Sequence, residues 1–156
     1  MIYIFIIAAI AAADQFIKML VVNNPGMMNE ITVIEDFFYI HCIPNHGIAM
    51  GMFEGRQAIV ITVTAVLMIL LTAYIFIHRK TESKVFLFIL SMIVGGGIGN
   101  IIDRIRLGYV VDYLDFRVIW DYIFNFADIC VVAGCFAMIV WMFYSSYCDR
   151  KKSDEV

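Results

Sequence analysis

Two aspartates, Asp112 and Asp128, stand 16 residues apart around the segment Phe124-Asn125-Phe126-Ala127. Asp112 lies between Val111 and Tyr113, and Asp128 opens a long apolar run. Carboxylates that share a poorly hydrated site cannot both ionise easily, so one holds its proton while the other stays charged. In that state the charged member draws a proton from water and the acid member hydrogen-bonds a carbonyl and its developing oxyanion, which is the chemistry of amide hydrolysis without a metal. A strand and a turn between the two residues are long enough to bring them side by side.

Other polar residues gather near this pair. Asn100, Asp103 and Arg104 fall at i, i+3 and i+4, so amide, carboxylate and guanidinium share one helix face. Asp103 is a rival for membership of the acid pair, but Arg104 beside it is positioned to hold it ionised. Asn125 and Asp128 have the spacing of a capping box, with Asn125 as N-cap and the acid favoured by the positive helix end. Asp14 and Lys18, at i and i+4, can neutralise one another inside an apolar segment. Asn45 and Gly47 lie in the turn-forming run Pro44-Asn45-His46-Gly47. No metal or cofactor is expected, because His41 and His46 have no acid or cysteine at convincing ligand spacing along the chain. No Ser-His-Asp or Cys-His motif is present.

The elements that must hold these residues are set by a membrane composition. Of 156 residues, 63% are apolar and 16% charged, and mean hydropathy is +0.88, well beyond a water-soluble domain. A net charge of -3 offers no field for phosphates, so nucleic acid is excluded as a partner and membrane lipid is the main surrounding. Uncharged runs at 57–77, 85–102 and 129–148 each approach the length of a bilayer span. Residues 1–22 form a fourth. Ala11-Ala12-Ala13 there resembles a cleavage site, but the basic start of a secretory signal is missing and the apolar pattern resumes at Phe16, so a retained helix is expected.

Cys42, Cys130, Cys135 and Cys148 form no C-x-x-C pair and read as packing residues, with Cys42 alone expected on the outer side. The basic segments 78–84 and 150–152 point to the cytoplasm, placing both termini inside and loops 23–56 and 103–128 outside. Within those loops Ile31–Ile34, Phe37–Ile43 and Tyr109–Phe116 read as strands, and Asn23-Asn24-Pro25-Gly26 as a turn. The whole is expected to be one α-helical membrane domain, 1–156, with four transmembrane helices and a small extracytoplasmic β-sheet. Gly95 and Gly99 give the third span a small-residue face for close helix packing.

The motifs Asp14-Gln15-Phe16-Ile17-Lys18, Asn45-His46-Gly47-Ile48-Ala49, Gly95 through Arg104, Val110-Val111-Asp112-Tyr113 and Phe124 through Asp128 together resemble the lipoprotein signal peptidase (signal peptidase II) family, in the family's order. The resemblance implies a multi-pass enzyme of the bacterial cytoplasmic membrane. It implies an aspartyl endopeptidase that removes the signal peptide from diacylglyceryl-modified prolipoproteins, just before the lipid-bearing cysteine. It makes Asp112 and Asp128 the catalytic pair, near the outer face, and Asn45, Gly47, Asn100, Arg104 and Asn125 site-lining residues. Asp14 and Lys18 take a supporting role, and the enzyme is expected to act as a monomer.

Two positions depart from the family pattern: Met50 replaces an aromatic and Tyr122 a proline. The competing reading is a small ion-coupled transporter or channel subunit, with the ionisable residues forming a path. That path needs charges near mid-membrane, whereas the two longest spans are unbroken apolar runs and the acids cluster at one edge. A tetraspan scaffold explains the spans but leaves the two acids without a purpose.

Overall fold

The computed structural model describes residues 1–47, 56–117 and 122–154. Its long helices are α1 (Ile2–Val22), α3 (Gln57–His78), α4 (Lys84–Leu107) and α5 (Phe126–Asp154), with a single turn, α2, at Pro25–Met28. Each long helix has the length and apolarity to cross a membrane. Two begin or end outside the apolar runs: α4 continues five residues past Ile102, and α5 starts three residues before Ile129. Both extensions carry polar side chains whose partners lie on other elements, which hydropathy does not register.

Helix α4 is the axis of the bundle, packed against α1, α5 and α3. Its glycines explain how tightly. A Cβ on Gly96 would stand 2.5 Å from the Ala127 carbonyl, and one on Gly99 2.5 Å from the Asp14 carboxylate. Backbone therefore meets neighbouring helix directly, as small residues permit in lipid where packing replaces the hydrophobic drive. Ile7, Met68, Ile75, Leu87, Leu90 and Val94 form the apolar core. Outward-facing Ile69, Leu70, Phe136 and Phe143 are left for the bilayer.

At the end of the bundle where α4 stops and α5 starts sits an antiparallel sheet, ordered β1 (Ile31–Ile34), β2 (Phe38–Asn45), β3 (Val110–Asp115) and β4 (Ile123–Phe124). Gly108 ends α4 in the left-handed conformation, φ 79°, its N–H bonding the Arg104 carbonyl at 3.1 Å, and so turns the chain into β3. The segment at Pro25 is a helical turn capped by Asn24, whose Oδ1 accepts from the Gly26 N–H at 2.9 Å, rather than a plain reverse turn. Likewise Pro44 and Asn45 belong to β2 and pair with Val111 and Val110. Pairing of β1 with β2 stops at Ile40, so a proline beyond it sits where only one strand neighbour remains. The short β4, pairing Leu114 and Asp115, carries too little pattern to be read from sequence.

Candidate active site

The N-terminus of α5 is built by three other elements. Its first N–H groups lack intrahelical acceptors, and each finds one. Phe126 N–H donates to the Tyr113 hydroxyl at 3.2 Å, Ala127 N–H to Asp14 Oδ1 at 3.0 Å, and Asp128 N–H to Asn125 Oδ1 at 2.9 Å. Asp128 Oδ2 in return accepts from the Asn125 N–H at 3.2 Å, closing the capping box. This consumes one oxygen of Asp128 and leaves Oδ1 directed to α4, where it accepts from Asn100 Nδ2 at 2.7 Å.

Asp112 reaches the same place from β3. Its Oδ1 accepts from Asn125 Nδ2 and its Oδ2 from Asn45 Nδ2, both at 2.7 Å. Asn125 also donates to Asn100 Oδ1 at 3.1 Å. A continuous chain thus runs Asn45, Asp112, Asn125, Asn100, Asp128, joining β2, β3, α4 and α5. Asp112 and Asn125 are buried. Burial, and then the nearby charge of Asp128, push the Asp112 carboxyl up to about 7, against the two amides that favour its charged form.

Behind the amides lies a second layer. Lys18 Nζ contacts Asp14 Oδ2 at 2.9 Å, Asp103 Oδ2 at 2.8 Å and Asn100 Oδ1 at 2.9 Å, so all three ammonium hydrogens have acceptors. The pairing of Asp14 with Lys18 read from their spacing is present. The pairing of Asp103 with Arg104 is not: Asp103 bonds Lys18, Gln15 Nε2 at 2.8 Å and the Val111 N–H at 3.1 Å. A residue and its immediate successor project in different directions from a helix, and Asp103 faces α1 while Arg104 turns to the loop after β2. There Arg104 Nη2 donates to the Gly47 carbonyl at 3.0 Å, and its Nε is buried without a partner among the described residues.

Gln15 is the residue that sequence reading passed over. Its amide donates to Asp103 and to the Gly99 carbonyl at 3.2 Å, and accepts from Arg106 at 3.2 Å. An amide inside an apolar helix beside Asp14 was the available signal. Met50, with Ile48 and Ala49 of the Asn45 motif, lies outside the described residues. Tyr122 is described, half-buried just before β4.

Only one group of donors among the described residues could converge on a metal: Glu30, His41 and Asp115, whose ligand atoms lie within 4.8 Å of one another. Strand pairing assembles what chain spacing did not suggest for His41. Arg117 already bridges Glu30 and Asp115, with Nε 2.9 Å from Asp115, so the protein supplies its own cation there. All four cysteines are free thiols, with Cys42 half-buried beside β3.

Two amide-clamped carboxyls at the mouth of a membrane helix bundle are the kind of groups that aspartic peptidase chemistry uses. The family described as Signal peptidase (SPase) II matches residues 6–144. The lipoprotein signal peptidase of Clostridioides difficile (strain 630) is 39% identical over 147 residues, covering 92% of this chain and 96% of that protein. That of Halothermothrix orenii (strain H 168) is 39% identical over 142 residues, covering 91% and 94%. Two solved structures of bacterial membrane enzymes share the fold at 27% identity. One has a TM-score of 0.82, covering 92% of this chain and 88% of that one, and the other 0.78, covering 90% and 91%. The chain belongs to the signal peptidase II family and is a multi-pass membrane protease of the aspartic type. Nothing in these likenesses favours a transporter or channel.

Proposed function

We propose that this enzyme removes the signal peptide from diacylglyceryl-modified prolipoproteins, cutting just before the lipidated cysteine, with Asp112 and Asp128 as the catalytic pair. The single observation that carries the assignment is the amide chain linking both carboxyls through Asn125 and Asn100. Burial raises the Asp112 carboxyl and the two acids share one proton near neutral pH, so one member serves as the acid and the other as the carboxylate. A water between them loses its proton to the carboxylate and attacks the scissile carbonyl. The acid member donates to the developing oxyanion, and the proton passes to the leaving amine. The apparent values belong to the pair rather than to either member.

Asn45, Asn100 and Asn125 hold the acids in place. Arg104 and Gly47 bound the substrate groove, and Asp14 with Lys18 anchors α1 to the site. The chain acts as one integral unit and as a monomer. Both termini face the cytoplasm and the site lies near the outer face, as the basic segments 78–84 and 150–152 support. A lipid-anchored cysteine holds the scissile bond at that depth.

The test is cleavage of a lipidated prolipoprotein by purified protein carrying Asp112→Asn or Asp128→Asn. Each substitution keeps shape and removes acid-base capacity, and each abolishes turnover. Full activity in both variants overturns the pair. Labelling of a cysteine placed at position 46 from the cytoplasmic side would reverse the orientation.

A further inference from the structure

The backbone just ahead of each acid of the pair is held from one place. The Val111 N–H, one residue before Asp112, donates to Asp103 Oδ2 at 3.1 Å, and the Ala127 N–H, one residue before Asp128, donates to Asp14 Oδ1 at 3.0 Å. Both bonds are buried. Among the described residues β4 pairs with Leu114 and Asp115 and goes no further, so at Val111 a side chain from α4 supplies the acceptor that a backbone N–H requires. At Ala127 a side chain from α1 replaces the carbonyl that a first-turn N–H lacks.

The two accepting carboxylates are themselves joined. Lys18 Nζ lies 2.9 Å from Asp14 Oδ2 and 2.8 Å from Asp103 Oδ2. The Gln15 amide nitrogen lies 2.8 Å from Asp103 Oδ1 and 3.3 Å from Asp14 Oδ2. Gln15 is anchored in turn, donating to the Gly99 carbonyl and accepting from Arg106, each at 3.2 Å. This clasp meets the asparagine chain at Asn100, through Lys18, but its task differs. Asn45, Asn100 and Asn125 bond the carboxyl oxygens of the pair and set how each carboxyl turns. The clasp grips the main chain on which each carboxyl rides.

We infer that Gln15 and Asp103 are positioning residues of this enzyme, which with Asp14 and Lys18 set the separation of the two catalytic carboxyls by holding Val111 and Ala127. The inference rests on the reading of Asp112 and Asp128 as the catalytic pair. The gap between the acids has to fit the attacking water, and a misplacement of about 1 Å can cost on the order of 100-fold in rate.

Two neutral changes test it in full-length protein in detergent, with a lipidated prolipoprotein as substrate. Gln15→Met keeps the length of the side chain and removes its hydrogen bonds. An ester at position 111, made by incorporating α-hydroxyisovaleric acid in place of Val111, deletes the donor to Asp103 and alters no side chain. Neither touches the titratable groups around the pair, which are Lys18, Asp14, Asp103, Arg104, Tyr113 and Cys42.

Each change lowers kcat about tenfold and leaves KM within about twofold. The acid and alkaline limbs of the kcat/KM profile draw together, since carboxyls that stand farther apart couple less. Gln15→Met added to the ester lowers kcat by less than about twofold more, because both act on one bond. Parent-like kcat in either variant, an unchanged interval between the limbs, or losses that multiply in the double variant overturns the clasp. So does a lowered Tm with normal kcat per folded molecule, which assigns Gln15 to stability alone. An inactive parent overturns the proposed substrate instead, and an active Asp112→Asn the pair, so those failures are distinct from this one.

Discussion

Two clusters in this molecule have the same composition, one cation between two carboxylates, and opposite settings. Asp14–Lys18–Asp103 joins α1 to α4, with Lys18 3% and Asp14 0% exposed. Glu30–Arg117–Asp115 spans the sheet, with Asp115 buried but the Arg117 and Glu30 side chains 42% and 40% exposed and the guanidinium 3.9 Å over the Tyr39 ring. A buried ion pair gives little net stability compared with apolar packing, but losing one member leaves a stranded charge. An exposed pair is screened and easily replaced by water. The difference teaches where geometry is fixed: the buried cluster also holds Asn100, and through it Asp128, whereas the exposed one ties strands together.

The sharpest way to break the contrast is Lys18→Met. It leaves two carboxylates facing each other and removes one of the two donors to Asn100 Oδ1, and should cost on the order of 3–5 kcal/mol together with nearly all turnover. Thermal unfolding in detergent and a cleavage assay check both, and parent-like values in each would dissolve the claim that this cluster fixes the site. Next comes Gly96→Ala, whose methyl meets the Ala127 carbonyl and displaces the first turn of α5. Overpacking there should cost ~1–3 kcal/mol and most of the activity. Gly97→Ala presses only on flexible Met68 and should be milder on both counts, an order that unfolding and turnover measured side by side can reverse.

A smaller effect concerns pH. The Asp112 carboxyl lies near 7 in the folded protein, above its ordinary value of 3.8. The folded state therefore binds this proton more tightly than the unfolded one. The associated stability is present in acid and lost as pH rises through about 7. Parent Tm and turnover should both decline on the alkaline side, while Asp112→Asn, inactive, should lose that part of the Tm slope. An unchanged slope would remove burial as the cause. Smallest of all, Arg117→Ala should leave turnover within about twofold, as exposed pairs do. A large loss would show that the sheet edge, not only the buried cluster, sets the position of Asp112.

Much of this was legible along the chain. Four apolar runs announced the helices because bilayer thickness imposes their length, and β-branched stretches marked β1 to β3. Asn125 and Asp128 declared a helix start, since capping is local chemistry. The boundaries of α4 and α5 escaped, because what extends them is Gly108 at one end and acceptors from Tyr113 and Asp14 at the other.

The sequence by itself determined a membrane bundle, the acids at one edge and the Asp14–Lys18 pair, all consequences of hydropathy and of spacing within single helices. Only the tertiary structure decided which acid Lys18 shares with Asp14, where Arg104 points, and how Asn45, Asn100 and Asn125 divide the two carboxyls among them. Such contacts join groups up to 113 residues apart, as Ala127 and Asp14. Hydrogen-bond direction across packed elements has no counterpart in the order of residues along a chain.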